Sequence, residues 1–223
     1  LVSSPLYRVK EIIVNGNQQV SRTEVIRWAS LETQGNIFRA DIRGVAAQLK
    51  RHPWVKGVVV KRILPDRMAI TVEERISLAR LSGPSSVYLL DKDGVVLQEI
   101  QEKKGAHATL PEMVGTEISH YSPGQGLANP LYLRGMEVLK HARRCPWALQ
   151  RGILRIELFE KQGPVALLKG QRTRICFGKM DPTVAWTHLQ SVSSSLEGDL
   201  ERIEQIDLSF DSQVVDRYSQ PGR

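Results

Sequence analysis

The feature that most constrains this chain is the punctuation of residues 7–74, where turn and capping residues recur so often that only short elements fit between them. Residues 7–14 (YRVKEIIV) alternate and then run apolar, which predicts a strand with one buried face. Asn15-Gly16-Asn17 ends it with residues that tolerate positive φ. Ser21-Arg22-Thr23-Glu24 reads as a capping box: the Ser21 side chain accepts from the backbone N–H three residues on, and Glu24 reaches back. The helix that follows should bury Val25, Ile26 and Ala29, and Gly35-Asn36 closes that segment. Asp41 caps a second helix through Leu49, with Ile42, Val45, Ala46 and Leu49 at helical spacing, and His52-Pro53 stops it. Trp54–Leu64 is rich in β-branched residues, Leu64-Pro65-Asp66-Arg67 turns, and Met68–Glu73 alternates again. The order β-α-α-β-β makes a compact module in its own right.

Beyond it the chain becomes strand-rich. Val87–Leu97 reads as two apolar strands joined around Asp93-Gly94, and Ala106–Gly115 as a short strand led in by Pro111. Ser122–Gly126 is a loop, and Pro130 opens a helix that stops at Cys145-Pro146. Ile153–Phe159, Val165–Leu168 and Arg172–Phe177 are consecutive strands, and Asp181-Pro182 starts a helix toward Leu196. Ile203–Phe210 is the last strand, followed by Gln213-Val214-Val215 and a tail, Ser219–Arg223, expected to fray. The fold class is α+β: a β-α-α-β-β module followed by a larger, mostly antiparallel β-sheet domain with two helices. The expected domains are 1–76, 77–218 and the tail 219–223.

Charge divides along the same line. Residues 1–82 carry 14 Lys and Arg against 7 Asp and Glu, while residues 83–223 carry 17 of each, so the net +7 lies wholly in the first third. That third faces an anionic partner or simply keeps the chain soluble. No apolar run approaches the ~18 residues that span a bilayer, and the opening Leu1-Val2-Ser3-Ser4 is not a signal peptide.

The side chains that usually carry chemistry are scattered. None of the five histidines falls in an HExxH or beside a Ser and an Asp in a catalytic arrangement. His141 and Cys145, four apart on one helix, could join Cys176 as zinc ligands; Cys145 and Cys176 could form a disulfide, or both could be buried thiols. Glu73 and Glu74 are adjacent on a strand and point to opposite faces, so they cannot act on one substrate. Asp91 and Asp93 read as turn formers, and 197–201 as a solvated turn. No P-loop and no dinucleotide fingerprint occurs, so no enzyme activity, cofactor or metal is expected. With four Phe, four Trp and no RRM, helix-turn-helix or KH pattern, nucleic acid is not the expected partner; binding through the basic third stands as the alternative of another class.

What remains is a protein of sheets and edges. The final strand, Ile203–Phe210, lies where no later element looks long enough to cover it, and an open edge can bind another chain through main-chain hydrogen bonds. Ile206, Leu208 and Phe210 share one face, Asp207, Ser209 and Asp211 the other. The competing reading is an ordinary strand whose edge those charges blunt.

Tyr7–Glu74 resembles a POTRA domain, through Val14-Asn15-Gly16-Asn17, Gly35-Asn36-Ile37-Phe38 and the closing Val72-Glu73-Glu74. Leu64-Pro65-Asp66-Arg67, Val72–Arg75, Val87–Leu97, Leu110–Gly115 and Ile206–Phe210, in that order, make nearly the whole chain resemble the bacterial cell-division family FtsQ, or DivIB. Ser77 stands where that family usually has Pro, and the family's cytoplasmic tail and membrane helix are not seen; Leu1–Ser4 would fit just past such a helix. The resemblance implies a non-catalytic divisome scaffold in the inner membrane at the septum, single-pass, with this portion extracytoplasmic and periplasmic. It implies binding of FtsB- and FtsL-type coiled-coil proteins and other divisome components, by strand addition at the C-terminal edge, and placement of septal cell-wall synthesis. The positions implied for binding are Ser209, Phe210, Asp211, Ser212 and Gln213, with Phe210 as apolar anchor and Lys161 and Gln162 as a secondary contact. The basic module would face anionic lipid. A POTRA component of an outer-membrane assembly or secretion system is the alternative; it would call for further POTRA repeats or a barrel.

Overall fold

The computed structural model describes residues 5–30, 35–83, 86–101, 107–115, 120–196, 202–210 and 213–218, with side chains through Ser209. The chain divides into two compact units, Leu1–Ile76 and Ser77–Arg223.

In the first unit, β1 (Glu11–Asn15) runs parallel to β3 (Arg67–Glu74), which is flanked on its other side by antiparallel β2 (Val55–Ile63). Helices α1 (Arg22–Ala29) and α2 (Ile42–Leu49) complete the β-α-α-β-β order. The alternation of β3 buries Met68, Ile70 and Val72, which share a core with Val25, Ala29, Val45 and Leu49. Both N-caps form, Ser21 Oγ accepting from Glu24 N at 3.1 Å and Asp41 Oδ1 from Arg43 N and Gly44 N at 3.1 and 3.0 Å, but the expected return contact of the Glu24 side chain is replaced by pairing with Arg27 and His52. The Glu24 carboxylate faces His52, 3.3 Å from Nε2, at the far end of α2. Glu73 and Glu74 do point apart: Glu73 pairs with Lys56, while Glu74 accepts from the amides of Gln18, Gln19 and Val20 and pins the loop leading into α1. The first strand is shorter than its alternation suggests. Pro5–Tyr7 is a 3-10 turn, and the amides of Val9 and Lys10 go to loop carbonyls, Gly35 O and Asp66 O, instead of a ladder.

The second unit is built on one nine-stranded sheet. Its strands are β4 (Ser77–Ser82), β5 (Val87–Asp91), β6 (Val96–Ile100), β7 (Glu112–Gly115), β8 (Ile153–Phe159), β9 (Gly163–Leu168), β10 (Arg174–Cys176), β11 (Ile203–Phe210) and β12 (Gln213–Tyr218). They lie in the order β12-β11-β10-β9-β8-β7-β4-β5-β6. Five of the eight pairings are antiparallel; β4 with β7, β7 with β8 and β10 with β11 are parallel. A parallel neighbour requires a crossover. From β7 to β8 it contains α3 (Pro130–Ala142) and α4 (Pro146–Arg151), and from β10 to β11 it contains α5 (Pro182–Leu196). Among the described residues the helices of this unit are therefore three, one more than expected. Cys145-Pro146 does end α3, but proline at the first helical position costs no hydrogen bond and also opens α4. Trp186 of α5 donates from Nε1 to Val138 O of α3 at 3.0 Å, and Gln190 Oε1 accepts from Trp147 N of α4 at 3.0 Å, locking the three helices together. Asp91 is the turn former expected, buried and accepting from Asp93 N and Val95 N. Ser193 is buried against its own helix, donating to Gln190 O.

Candidate partner-binding edge

The C-terminal edge of the sheet differs from expectation in one respect that decides the site. β11 is not the outermost strand. It lies between β10, parallel to it, and β12, antiparallel to it. Gln213-Val214-Val215 alone reads as too short to cover it, yet the strand runs on through Tyr218. Only Asp211 and Ser212 separate β11 from β12, and a two-residue connection suffices for a hairpin. The sheet therefore ends at β12, and among the described residues no strand lies beyond it.

The register along this hairpin is irregular. Ile206 pairs with Asp216 and Asp207 with Val215, but Phe210 pairs with Gln213, so Leu208 and Ser209 together stand opposite Val214. This is a β-bulge, and a side chain holds it: Asp207 Oδ1 accepts from Ser209 N at 2.9 Å and from Ser209 Oγ at 2.5 Å. The inward face agrees with the sequence reading where side chains are described, since Ile206 and Leu208 are buried and Ser209 is exposed.

β10 pairs only with Gln205–Asp207, so the end of β11 runs past it. Two glycines let the neighbouring turns close up there. Gly178, at φ +53°, packs so tightly that a Cβ on it would sit 2.4 Å from Ser209 Cβ. A Cβ on Gly163, at φ +73°, would lie 2.4 Å from Gly178 O. Above this stack opens a groove of about 460 Å³ lined by Lys161, Gln162, Gly178, Lys179, Asp207 and Ser209, among others. The structure thus brings together Lys161, Gln162 and Ser209, which lie far apart in sequence. Phe210 and Gln213 stand as the paired backbone positions that close the hairpin. Asp211, Ser212 and the tail 219–223 lie outside the described residues. Sequence reasoning missed Lys179, gave Asp207 only as an outward-facing position, and read Gln213-Val214-Val215 without the rest of the edge strand Gln213–Tyr218, for which the β-forming residues of 214–218 were the available signal.

The cysteines play no part in a bridge. Cys145 is buried and donates to Gln190 Oε1 at 3.4 Å, and no disulfide joins it to Cys176, which lies in β10. Zinc ligation by His141, Cys145 and Cys176 is also overturned, because among the described residues no three His, Cys, Asp or Glu side chains are placed to hold a metal. Nor is any helix among them long and apolar enough to cross a membrane.

Residues 7–75 match the family described as POTRA domain, FtsQ-type, so the first unit is a POTRA domain. The relatives similar to the chain include cell division proteins FtsQ from several bacteria. That of Syntrophotalea carbinolica is 29% identical over 119 residues, 52% of this chain and 40% of its own length. That of Anaeromyxobacter sp. is 27% identical over 207 residues, 92% and 68% respectively, and that of Geobacter sp. 26% over 221 residues, 94% and 76%. The chain thus spans 40% of the first relative's length and about two thirds to three quarters of the other two. Most of the chain, beyond the POTRA match, is thus similar to cell division proteins of the FtsQ and DivIB type.

Proposed function

We propose that this chain is a non-catalytic scaffold of the bacterial division machinery that captures an extended segment of a partner protein by strand addition along the outer edge of β12. The relatives' shared name, cell division protein, supports the process. The observation that carries the mode of action is the position of β12 at the end of the sheet. About half the residues of an outermost strand direct both N–H and C=O away from the sheet, and each main-chain bond a partner makes there contributes roughly 0.5–1.5 kcal/mol net. Affinity then comes from backbone and register, while nearby side chains select the partner.

On this reading Ser209, Phe210, Asp211, Ser212 and Gln213 flank the incoming strand, Phe210 is its apolar anchor, and Lys161 and Gln162 touch it from the β8–β9 turn. The family likeness supports FtsB- and FtsL-type coiled-coil proteins as partners. It also supports a single-pass inner-membrane protein at the septum, with this portion extracytoplasmic, 1–76 nearest the membrane and 77–218 as the binding domain. A synthetic segment of an FtsB-type protein should bind the chain and slow amide exchange at 213–218. Phe210→Asp should abolish that capture without changing the unfolding midpoint. Protection confined to other strands, or capture undiminished by Phe210→Asp, would refute the docking site.

A further inference from the structure

Within the POTRA unit, β1 and β3 begin and β2 ends at the same end of the sheet, since Glu11, Ile63 and Arg67 are in register there. Three loops meet at that end and are laced into one platform. Ile37 N donates to Tyr7 O at 2.9 Å, Lys10 N to Asp66 O at 2.8 Å, and the Arg62 guanidinium to Ile37 O and Ala40 O, both at 2.7 Å. The Tyr7 and Phe38 rings lie 5.2 Å apart. The chain leaves the unit after Glu74, at the opposite end of this sheet.

A platform so well bonded would be expected to hide its apolar side chains, yet Leu6, Phe38 and Leu64 are exposed by 54%, 46% and 55%. Exposed cations lie on the loops and elements that meet at this end: Arg8, Arg39, Arg43, Lys61 and Arg67, none in an ion pair among the described residues. The acids at this end are largely engaged. Asp66 pairs with Lys10 at 3.0 Å and Asp41 caps α2, leaving Glu11 at the start of β1.

We infer that this end of the POTRA unit is a docking surface for an anionic lipid bilayer, with Leu6, Phe38 and Leu64 entering the interface and the five cations lying among the headgroups. The combination selects the occupant. A bilayer surface offers a plane of negative charge and, just beneath it, an apolar phase for Phe and Leu. A nucleic acid duplex offers the charge without that phase and gives three exposed apolar side chains nothing to do. The inference does not depend on what β12 captures.

The test is cosedimentation of the full 223-residue chain with vesicles of phosphatidylcholine containing phosphatidylglycerol, and with phosphatidylcholine alone. Binding should require phosphatidylglycerol and weaken with salt. Phe38→Ser with Leu64→Ser should reduce it about tenfold at unchanged net charge. Arg39→Gln with Arg67→Gln should do the same, and both pairs should keep the parent's unfolding midpoint and its capture of an FtsB-type segment. The inference is overturned by absence of binding to the anionic vesicles or by binding indifferent to Phe38 and Leu64. Duplex DNA bound more tightly than the vesicles, with the arginine pair alone mattering, would overturn it too.

Discussion

Replacing Gly178 by Ala tests whether the stack beneath Ser209 shapes the edge. Two costs apply. Gly178 sits at φ +53°, where an L side chain costs roughly 1–2 kcal/mol. The new Cβ would also lie 2.4 Å from Ser209 Cβ and 3.1 Å from its Cα, about an ångström inside ordinary contact. No rotamer relieves a clash between Cβ atoms, so backbone must move, at about 1–3 kcal/mol for overpacking. The sum is about 2–5 kcal/mol. Gly170 supplies the control: it has φ +70°, but open space where its Cβ would go, so Gly170→Ala should cost only the first term, about 1–2 kcal/mol. Urea unfolding of the two variants measures the difference. Titration with an FtsB-type segment should show weaker capture by Gly178→Ala alone, because displacing Ser209 displaces the bulge next to β12. Equal destabilisation by the two substitutions would refute the packing argument, and unchanged capture by a destabilised Gly178→Ala would separate the stack from the edge.

Glu112→Ala should destabilise the second unit by about 2–4 kcal/mol in urea unfolding: it strips Ser82 Oγ and Arg155 of their acceptor and leaves Arg80, buried and in register with Glu112, beside a lost charge. The figure is set below that for a fully buried pair because Arg155 is 43% exposed, and a change under about 0.5 kcal/mol would contradict it. Asp181→Asn tests a pH effect: hydrogen bonds from the Thr183 amide and hydroxyl hold the Asp181 carboxyl below its ordinary value, so its stabilisation is present above about pH 4 and lost as pH falls through the lower folded value. The parent chain should therefore lose unfolding midpoint in acid more steeply than Asp181→Asn; parallel acid profiles would contradict the assignment.

Local punctuation was sufficient wherever both ends of an element carry it. α2 could be read to the residue because Asp41 caps it and His52-Pro53 stops it. β1 was overread because alternation through Tyr7–Lys10 is equally compatible with a loop whose amides find Gly35 O and Asp66 O, acceptors distant in sequence. α4 was missed because proline marks both the stop of one helix and the first residue of the next, and only the packing of Trp147 against α5 decides between them. The sheet order lay beyond local reading altogether, since β7 inserts between β4 and β8 through pairings that leave no mark in spacing.

The site shows the same limit more sharply. Nothing in spacing links Lys161 to Ser209; the family likeness suggested both, and the Gly163–Gly178–Ser209 stack is what joins them. Placing β12 outside β11 changes which features matter there. An interior β11 has its backbone committed on both sides along Gln205–Asp207, so the proposed capture belongs one strand outward, on a strand that would contribute main chain. Main-chain recognition tolerates many side chains at the edge itself, but it does not tolerate a shifted register. Register at β12 is set from behind, by the Asp207 carboxylate that holds the bulge at Ser209 and by the glycine that lets the turn close beneath it. Asp207 and Gly178, neither of them on the edge strand, are accordingly the positions where substitution should disturb partner capture through geometry instead of contact.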